Sequence, residues 1–297
     1  GYLVHNAELL PGKHLGIPAE QFAYTLSHPQ KLYAVSYDEI YQYDALSVTL
    51  EQNTQGNERP RDICVSPNND HLIQSTVFHN IIRIFNPSDL NEYENIDVSN
   101  LIGYYAKLNQ VDVADNGILV GILSDGNILG YDVNTGDMLF IESASLSPDV
   151  SKIFISPSGS YFITWEHPEY DTYLYQVQDS EVVRSIYLGN NFRNVYFIPD
   201  KSDDQYYCLT TGQEISIYKC EDQSMIRSFT SSSERISNID PVSGYLVGSN
   251  HTTGKYQFYD PEGGGLIKEL NAGYPAYYPF LLDSKLFTGA YYYPINF

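Results

Sequence analysis

Cysteine, methionine and tryptophan are nearly missing from this chain of 297 residues: it has three, two and one of them. Cys64, Cys208 and Cys220 are odd in number and widely spaced, which argues against a disulfide framework or a thiolate zinc site and leaves them as inert strand residues. No apolar stretch approaches the roughly 18 residues that a membrane-spanning helix needs, and no secretory signal is visible at the start. Helical periodicity is lacking over any useful length. Basic residues are scarce: 16 Lys and Arg face 37 Asp and Glu, for a net charge of −21. Such a field repels phosphate backbones, so a nucleic-acid partner is not expected. It suits solubility outside the cytoplasm, and an extracytoplasmic protein (periplasmic, cell-surface or secreted) is expected. What the chain has in excess is tyrosine, 28 residues of it. Tyrosine fits half-buried strand positions.

One spacing organises the rest. Asp115, Pro157, Pro199, Pro241 and Asp283 stand 42 residues apart, each between two apolar runs. Ile153-Phe154-Ile155-Ser156-Pro157-Ser158-Gly159 matches Ile63-Cys64-Val65-Ser66-Pro67-Asn68-Asn69. Each unit continues with a third run ending in an aromatic and a polar residue, such as Ile40-Tyr41-Gln42-Tyr43-Asp44 or Tyr256-Gln257-Phe258-Tyr259-Asp260. A fourth, more polar run follows most of them, such as Met225-Ile226-Arg227-Ser228-Phe229. Short alternating runs bounded by Asn, Asp, Gly and Pro, at a period of about 40 to 45 residues, predict β-propeller blades.

Six complete units run from about Phe22 to Leu270, and a seventh begins at Ala276 with one hairpin, Tyr277 to Leu282 and Lys285 to Tyr293. Tyr2-Leu3-Val4-His5-Asn6 fits the third-run pattern and Glu8-Leu9-Leu10 the fourth. The expectation is therefore an all-β, seven-bladed β-propeller of four-stranded antiparallel blades. It forms a single domain, 1–297, in which 1–15 completes the last blade with 274–297. Closing the ring with both termini removes an open sheet edge.

The hairpins ICVSPNNDHLI (63–73) and IFISPSGSYFI (153–163) resemble those of WD40-like and YVTN-type propellers, and Tyr-Asp at 43–44, 131–132 and 259–260 stands where WD40 repeats carry Trp-Asp. The chain departs from true WD40 repeats in lacking the Gly-His pair and Trp-Asp, and it lacks the aspartate boxes of sialidases. Its acidic, Tyr- and Asn-rich character is similar to that of secreted propellers of Bacteroidetes-type bacteria. The resemblance implies architecture. Families of this kind mostly bind things, and a minority are lactonases, lyases or dehydrogenases; fold does not choose between them.

Catalytic patterns are sparse. No HExxH or G-x-S-x-G occurs, and Gly263-Gly264-Gly265 lacks the Lys-Ser/Thr of a P-loop, which makes it a turn. The acidic pairs Asp112 and Asp115, and Asp203 and Asp204, read as solvated turns. Asn250-His251-Thr252 is a glycosylation acceptor pattern of the kind chance supplies. Neither catalytic residues nor metal nor cofactor are assigned.

The blade meander puts the second-to-third turns on one face, with the links into each innermost strand. Trp165-Glu166-His167-Pro168-Glu169-Tyr170-Asp171 is the richest of these loops, and its counterparts bring Tyr37 and Asp38, Phe78 and His79, Asp125, Asn250 and His251, and Tyr291 to Tyr293. Arg61, Arg193 and Arg235, three of only seven arginines, each stand six residues before Pro67, Pro199 and Pro241, and Lys152 stands five before Pro157. A ring of cations around one mouth of the channel would favour an anionic ligand; the same arginines could equally clamp neighbouring blades. The expected function is non-enzymatic binding of a protein, a glycan or an anionic small ligand on the channel face, by Arg61, Lys152, Arg193, Arg235, Trp165, His79, His167, His251 and Tyr291, in a monomer. The alternative is a lactonase- or lyase-type enzyme at the central channel.

Overall fold

The computed structural model of the chain describes residues 5–8, 13–14, 21–24, 31–36, 39–55, 60–66, 68, 70–76, 81–99, 108–146, 152–165, 171–198, 206–211, 214–233, 235–240, 243–272, 279–282, 285–288 and 291–295. These residues form twenty-nine strands. Among them no helix is long and apolar enough to cross a membrane. Two compact units are present: Ala19–Asn190, and Gly1–Pro18 together with Asn191–Phe297.

Two short strands come first, β1 (His5–Glu8) and β2 (Lys13–His14). Four blades then fill the first-named unit. They are β3 (Gln21–Tyr24), β4 (Lys31–Ser36), β5 (Glu39–Asp44) and β6 (Thr49–Gln55); β7 (Pro60–Val65), β8 (Leu72–Thr76), β9 (Ile81–Phe85) and β10 (Glu92–Asp97); β11 (Leu108–Val113), β12 (Ile118–Leu123), β13 (Ile128–Asp132) and β14 (Asp137–Glu142); and β15 (Lys152–Ile155), β16 (Tyr161–Trp165), β17 (Thr172–Gln178) and β18 (Glu181–Gly189). The other unit holds β19 (Asn194–Phe197), β20 (Tyr206–Thr210), β21 (Glu214–Lys219) and β22 (Met225–Thr230), then β23 (Arg235–Ile239), β24 (Leu246–Asn250), β25 (Lys255–Asp260) and β26 (Gly265–Asn271), and lastly β27 (Phe280–Leu282), β28 (Lys285–Thr288) and β29 (Tyr291–Pro294). Each sheet pairs consecutive strands antiparallel, in the meander of a β-propeller blade. In the four-blade unit the innermost strands follow one another side by side: β3 meets β7, β7 meets β11, and β11 meets β15.

Six blades of four consecutive strands are present rather than the seven expected. The remaining sheet is β27, β28 and β29 with the two-residue β2 on its outer side, through Lys13 opposite Tyr292 and His14 opposite Tyr291. The third strand of this sheet comes from the C-terminal part of the chain, not from 2–6. His5–Glu8 instead adds a fifth strand, parallel, to the outer edge of β26. A four-residue strand carries too little pattern to choose between these edges.

Burial explains the composition of each strand. The second strands β4, β8, β12 and β24 are buried almost throughout, and β8 and β12 are packed by a neighbouring blade on each face. Their sequences are accordingly continuous apolar or small-residue runs, not alternations. Ile73, Ile82 and Ile84 of one blade pack on Val111, Val113 and Leu119 of the next, and Val247 and Phe258 pack on Leu281 and Leu286. Each such side chain contributes about 1.5–3 kcal/mol. The fourth strands lie at the rim, and β22 is exposed along most of its length.

The repeated motifs have local physical meanings. In the Ser-Pro hairpin the buried hydroxyls of Ser66 and Ser156 accept backbone N–H bonds from His71 and Tyr161, both at 3.0 Å. In the Tyr-Asp pair the ring of Tyr43, Tyr131 or Tyr259 is buried. The Asp starts the next turn: Asp44 accepts the Ser47 N–H at 2.7 Å and Asp132 the Asn134 N–H at 2.8 Å. All six blades then repeat one device. A residue with positive φ (Val48, Leu90, Gly136, Ser180, Gln223 or Gly264) closes the third-to-fourth turn. Three residues later the fourth strand carries one extra residue in a β-bulge: Glu51, Tyr93, Leu139, Val183, Ile226 or Ile267. Bulges strengthen local twist and bend the bulged strand.

Of the six closing residues, Val48 alone is β-branched, at φ 53°, a conformation that costs an L-residue about 1–2 kcal/mol. Glycine occupies the equivalent place at 136 and 264. Val48→Gly is therefore expected to stabilise the protein by about 1 kcal/mol after glycine's own entropic cost, read as a higher urea midpoint; a lower midpoint would show that its contacts outweigh the strain.

Candidate functional site

Every cation singled out in the sequence stands at the start of an innermost strand. Arg61 is the extra residue of a bulge in β7, between Pro60 opposite Thr76 and Asp62 opposite Ser75. Lys152 opens β15 opposite Trp165. Arg193 is exposed just ahead of β19, where its backbone N–H donates to the Thr210 carbonyl at 2.7 Å. Arg235 opens β23 opposite Ser249. The register expected from the repeat is met by the backbone. The side chains of Arg61, Arg235 and Tyr291 lie outside the described residues, as do His79, His167 and the rest of 166–170.

Among these residues the structure brings Lys152 and Trp165 together, at one end of the fourth blade. They are direct cross-strand partners, so their side chains share a face with Cβ atoms about 5 Å apart. Lys152 is exposed and Trp165 half-buried. The row continues across the sheet through Thr172 to Gly189. On the opposite face Tyr173 packs at a tilt against Tyr187, with ring centroids 5.2 Å apart, and the Tyr187 hydroxyl donates to Asp171 at 2.9 Å. That bond raises the Tyr187 pKa. An ammonium beside an indole suits a ligand that has both negative charge and an apolar face.

Other expected positions have moved. Tyr291 to Tyr293 are not in a loop: they form β29 between β28 and β2. Asp125 does lie in a second-to-third turn, exposed, with its carboxylate accepting the Asn127 backbone N–H at 3.0 Å. His251 is half-buried in the turn after β24. Beside it, Asn250 is nearly enclosed: its amide nitrogen donates to Ser232 O at 2.6 Å and its amide oxygen accepts the Thr253 N–H at 2.9 Å.

The acidic pair 112 and 115 divides. Asp115 is an exposed turn residue, and its carboxylate accepts the Asn68 N–H of the preceding blade's turn at 2.6 Å. Asp112 is a strand residue, not a solvated turn. One oxygen accepts the Ile155 N–H of the next innermost strand at 2.9 Å and the other accepts Val113 N–H at 3.0 Å. Some of its surface reaches solvent, yet protein surrounds the carboxyl densely enough that burial pushes its pKa up to about 7. Asp62 does the same one blade earlier, accepting Val111 N–H at 3.1 Å, and Asn238 accepts Leu281 N–H at 2.9 Å. Sequence reasoning missed these joints. The available signal was Asp or Asn inside the innermost strand, three residues before its end at Asp62 and one residue before it at Asp112 and Asn238. Asp203 and Asp204 lie outside the described residues.

Cys64, Cys208 and Cys220 are buried free thiols. Burial, with the charges of Asp112 and Asp62 added, pushes Cys64 well above the usual thiol pKa. Among the described residues no group of three or more His, Cys, Asp or Glu is arranged to hold a metal ion. No protein-family model matches the chain, and no curated protein matches it.

Two outcomes follow from this geometry. A thiol reagent is expected to label none of the three cysteines in the native protein and all of them in denaturant; labelling of Cys64 without unfolding would contradict its burial. Because the Asn250 amide is already engaged and enclosed, the folded protein is expected to be no acceptor for a purified oligosaccharyltransferase whereas the unfolded chain is, and a mass increase of one core glycan on the folded protein that Asn250→Gln abolishes would refute this.

Proposed function

We propose that this chain is a non-enzymatic binding module of the WD40-like and YVTN-type propeller superfamily. In this reading it acts outside the cytoplasm as a monomer, with a seventh blade of β27, β28, β29 and β2 closing the ring through both termini. Its ligand is anionic, an acidic glycan or an acidic segment of a protein, and docks where the innermost strands begin. The pairing of Lys152 with Trp165 is the observation that carries this reading. A cation and the chain's only tryptophan share one exposed sheet end, held by strands and not by a loop, which lowers the cost of ordering them on binding. Arg61, Arg193 and Arg235 at the equivalent strand starts support it. At each such position Arg is suited to bind a carboxylate or sulfate group bidentately.

Binding is tested by calorimetry against a panel of uronate-containing, sulfated and neutral oligosaccharides and an acidic peptide. An acidic ligand is expected to bind. Trp165→Ala and the double variant Arg193→Gln, Arg235→Gln are each expected to weaken it roughly tenfold, about 1.4 kcal/mol, the arginine variant without lowering the melting temperature. Unchanged affinity with a lowered melting temperature would make the arginines clamps between blades.

A further inference from the structure

Asp62 and Asp112 stand on successive innermost strands, and each gives both carboxylate oxygens to backbone N–H groups. Asp62 accepts from Ile63 and, at 3.1 Å, from Val111 of the next strand; Asp112 accepts from Val113 and, at 2.9 Å, from Ile155 of the strand after that. Val111 adjoins Asp112 in the chain, so the two acids meet at one joint of three blades. The strands packed against β11 are β7, β8, β12 and β15. Their titratable side chains are Arg61, Asp62 and Cys64 on β7 and Lys152 on β15, and β8 and β12 contribute none. The Cys64 thiol is buried beside both carboxylates and stays protonated.

We propose that Asp62 and Asp112 form a proton-sensitive joint between three successive blades, in which Asp112 carries the proton and the joint tightens as the surroundings acidify. A carboxylate at Asp112 has to be desolvated beside the charge of Asp62, whereas its acid form keeps an oxygen to accept the Ile155 N–H and loses the repulsion. Asn238, which accepts the Leu281 N–H at 2.9 Å in another blade, shows that an uncharged acceptor makes this type of joint. Desolvation raises Asp112 from 3.8 to about 7, with the charge of Asp62 adding, against the backbone N–H bonds that pull it down. Its contribution to stability is therefore complete below pH 3.8 and is lost as pH rises through about 7.

The test is urea unfolding of the whole chain between about pH 5 and pH 8.5, for the native sequence, Asp112→Asn and Asp62→Asn. The native midpoint is expected to rise on acidification relative to Asp112→Asn, with the difference titrating near neutrality, and Asp62→Asn is expected to shift that titration to lower pH. Infrared spectra of the native protein at about pH 6 are expected to show a protonated-carboxyl band that Asp112→Asn removes. If Asp112→Asn fails to fold, the infrared titration of the native chain against Asp62→Asn decides alone. Parallel stability curves, or no protonated-carboxyl band in the native protein at about pH 6, would overturn the proposal.

Discussion

The innermost strand of a blade has a sheet partner on one side only, and its other row of backbone N–H and C=O groups has to be satisfied where the next blade arrives. An unpaired buried backbone group costs as much as a lost hydrogen bond. In this protein short polar side chains meet much of that demand. Asp62 reaches Val111 and Asp112 reaches Ile155, Asn238 reaches Leu281, the Asn194 amide donates to the Ile236 carbonyl, and the Ser237 hydroxyl donates to Pro279 O. Joining blades through side chains leaves each sheet free to turn against its neighbour, which a continuous backbone ladder would prevent. The apolar contacts between blades then fill the layer outside these joints.

That solution sets up an electrostatic problem of its own. Asparagine and serine accept or donate without charge, but Asp62 and Asp112 bring two carboxylates to adjoining strands. Their N–H bonds favour ionisation, and burial and mutual repulsion oppose it. At Asp112 burial wins. Farther out, where Asp44, Asp89, Asp97 and Asp222 bond Ser or Asn near the surface, hydrogen bonding wins and their pKa values fall. The same residue type thus has its pKa lowered in a turn at the rim and raised in a joint between blades, and the balance of burial against hydrogen bonding decides which.

The parts of the fold that were legible in the sequence are those with a local cause. Ser66 and Ser156 fix their own turns, so the Ser-Pro hairpins can be read from seven residues, and the 42-residue spacing then sets the register that places Arg193, Arg235 and Lys152 at strand starts. The edges were not legible. Nothing in His5–Glu8 distinguishes an outer strand of one sheet from an addition to the next, because four residues pair through backbone groups that every sequence has. The candidate site divides along the same line. Lys152 opposite Trp165 follows from hairpin register, whereas His79 and His167 lie outside the described residues. Asp112 was misread because it lies three residues from the turn residue Asp115, although Val111-Asp112-Val113 has the apolar–polar–apolar alternation of a strand.

The rim shows how the chain manages the edges it leaves open. The outer strands β6, β10, β14, β18 and β22 end their sheets, and several expose apolar side chains: Met138, Ile141, Val183, Tyr187, Met225 and Ile226. An edge of this kind is a template for pairing with another chain. Three features oppose it. The bulge three residues after each positive-φ turn bends the outer strand, so that a flat partner cannot follow its hydrogen-bond row. β1 covers the edge of β26 from within the chain. The net charge of −21 sets copies of the protein against one another at long range. The bulge is the most regular of these, recurring in all six blades whatever residue it inserts, from Glu51 to Ile267. Its constancy under such varied side chains means that the preceding turn, not the inserted residue, imposes it. The αL residue that closes the turn is thereby a determinant of rim shape as well as of local strain.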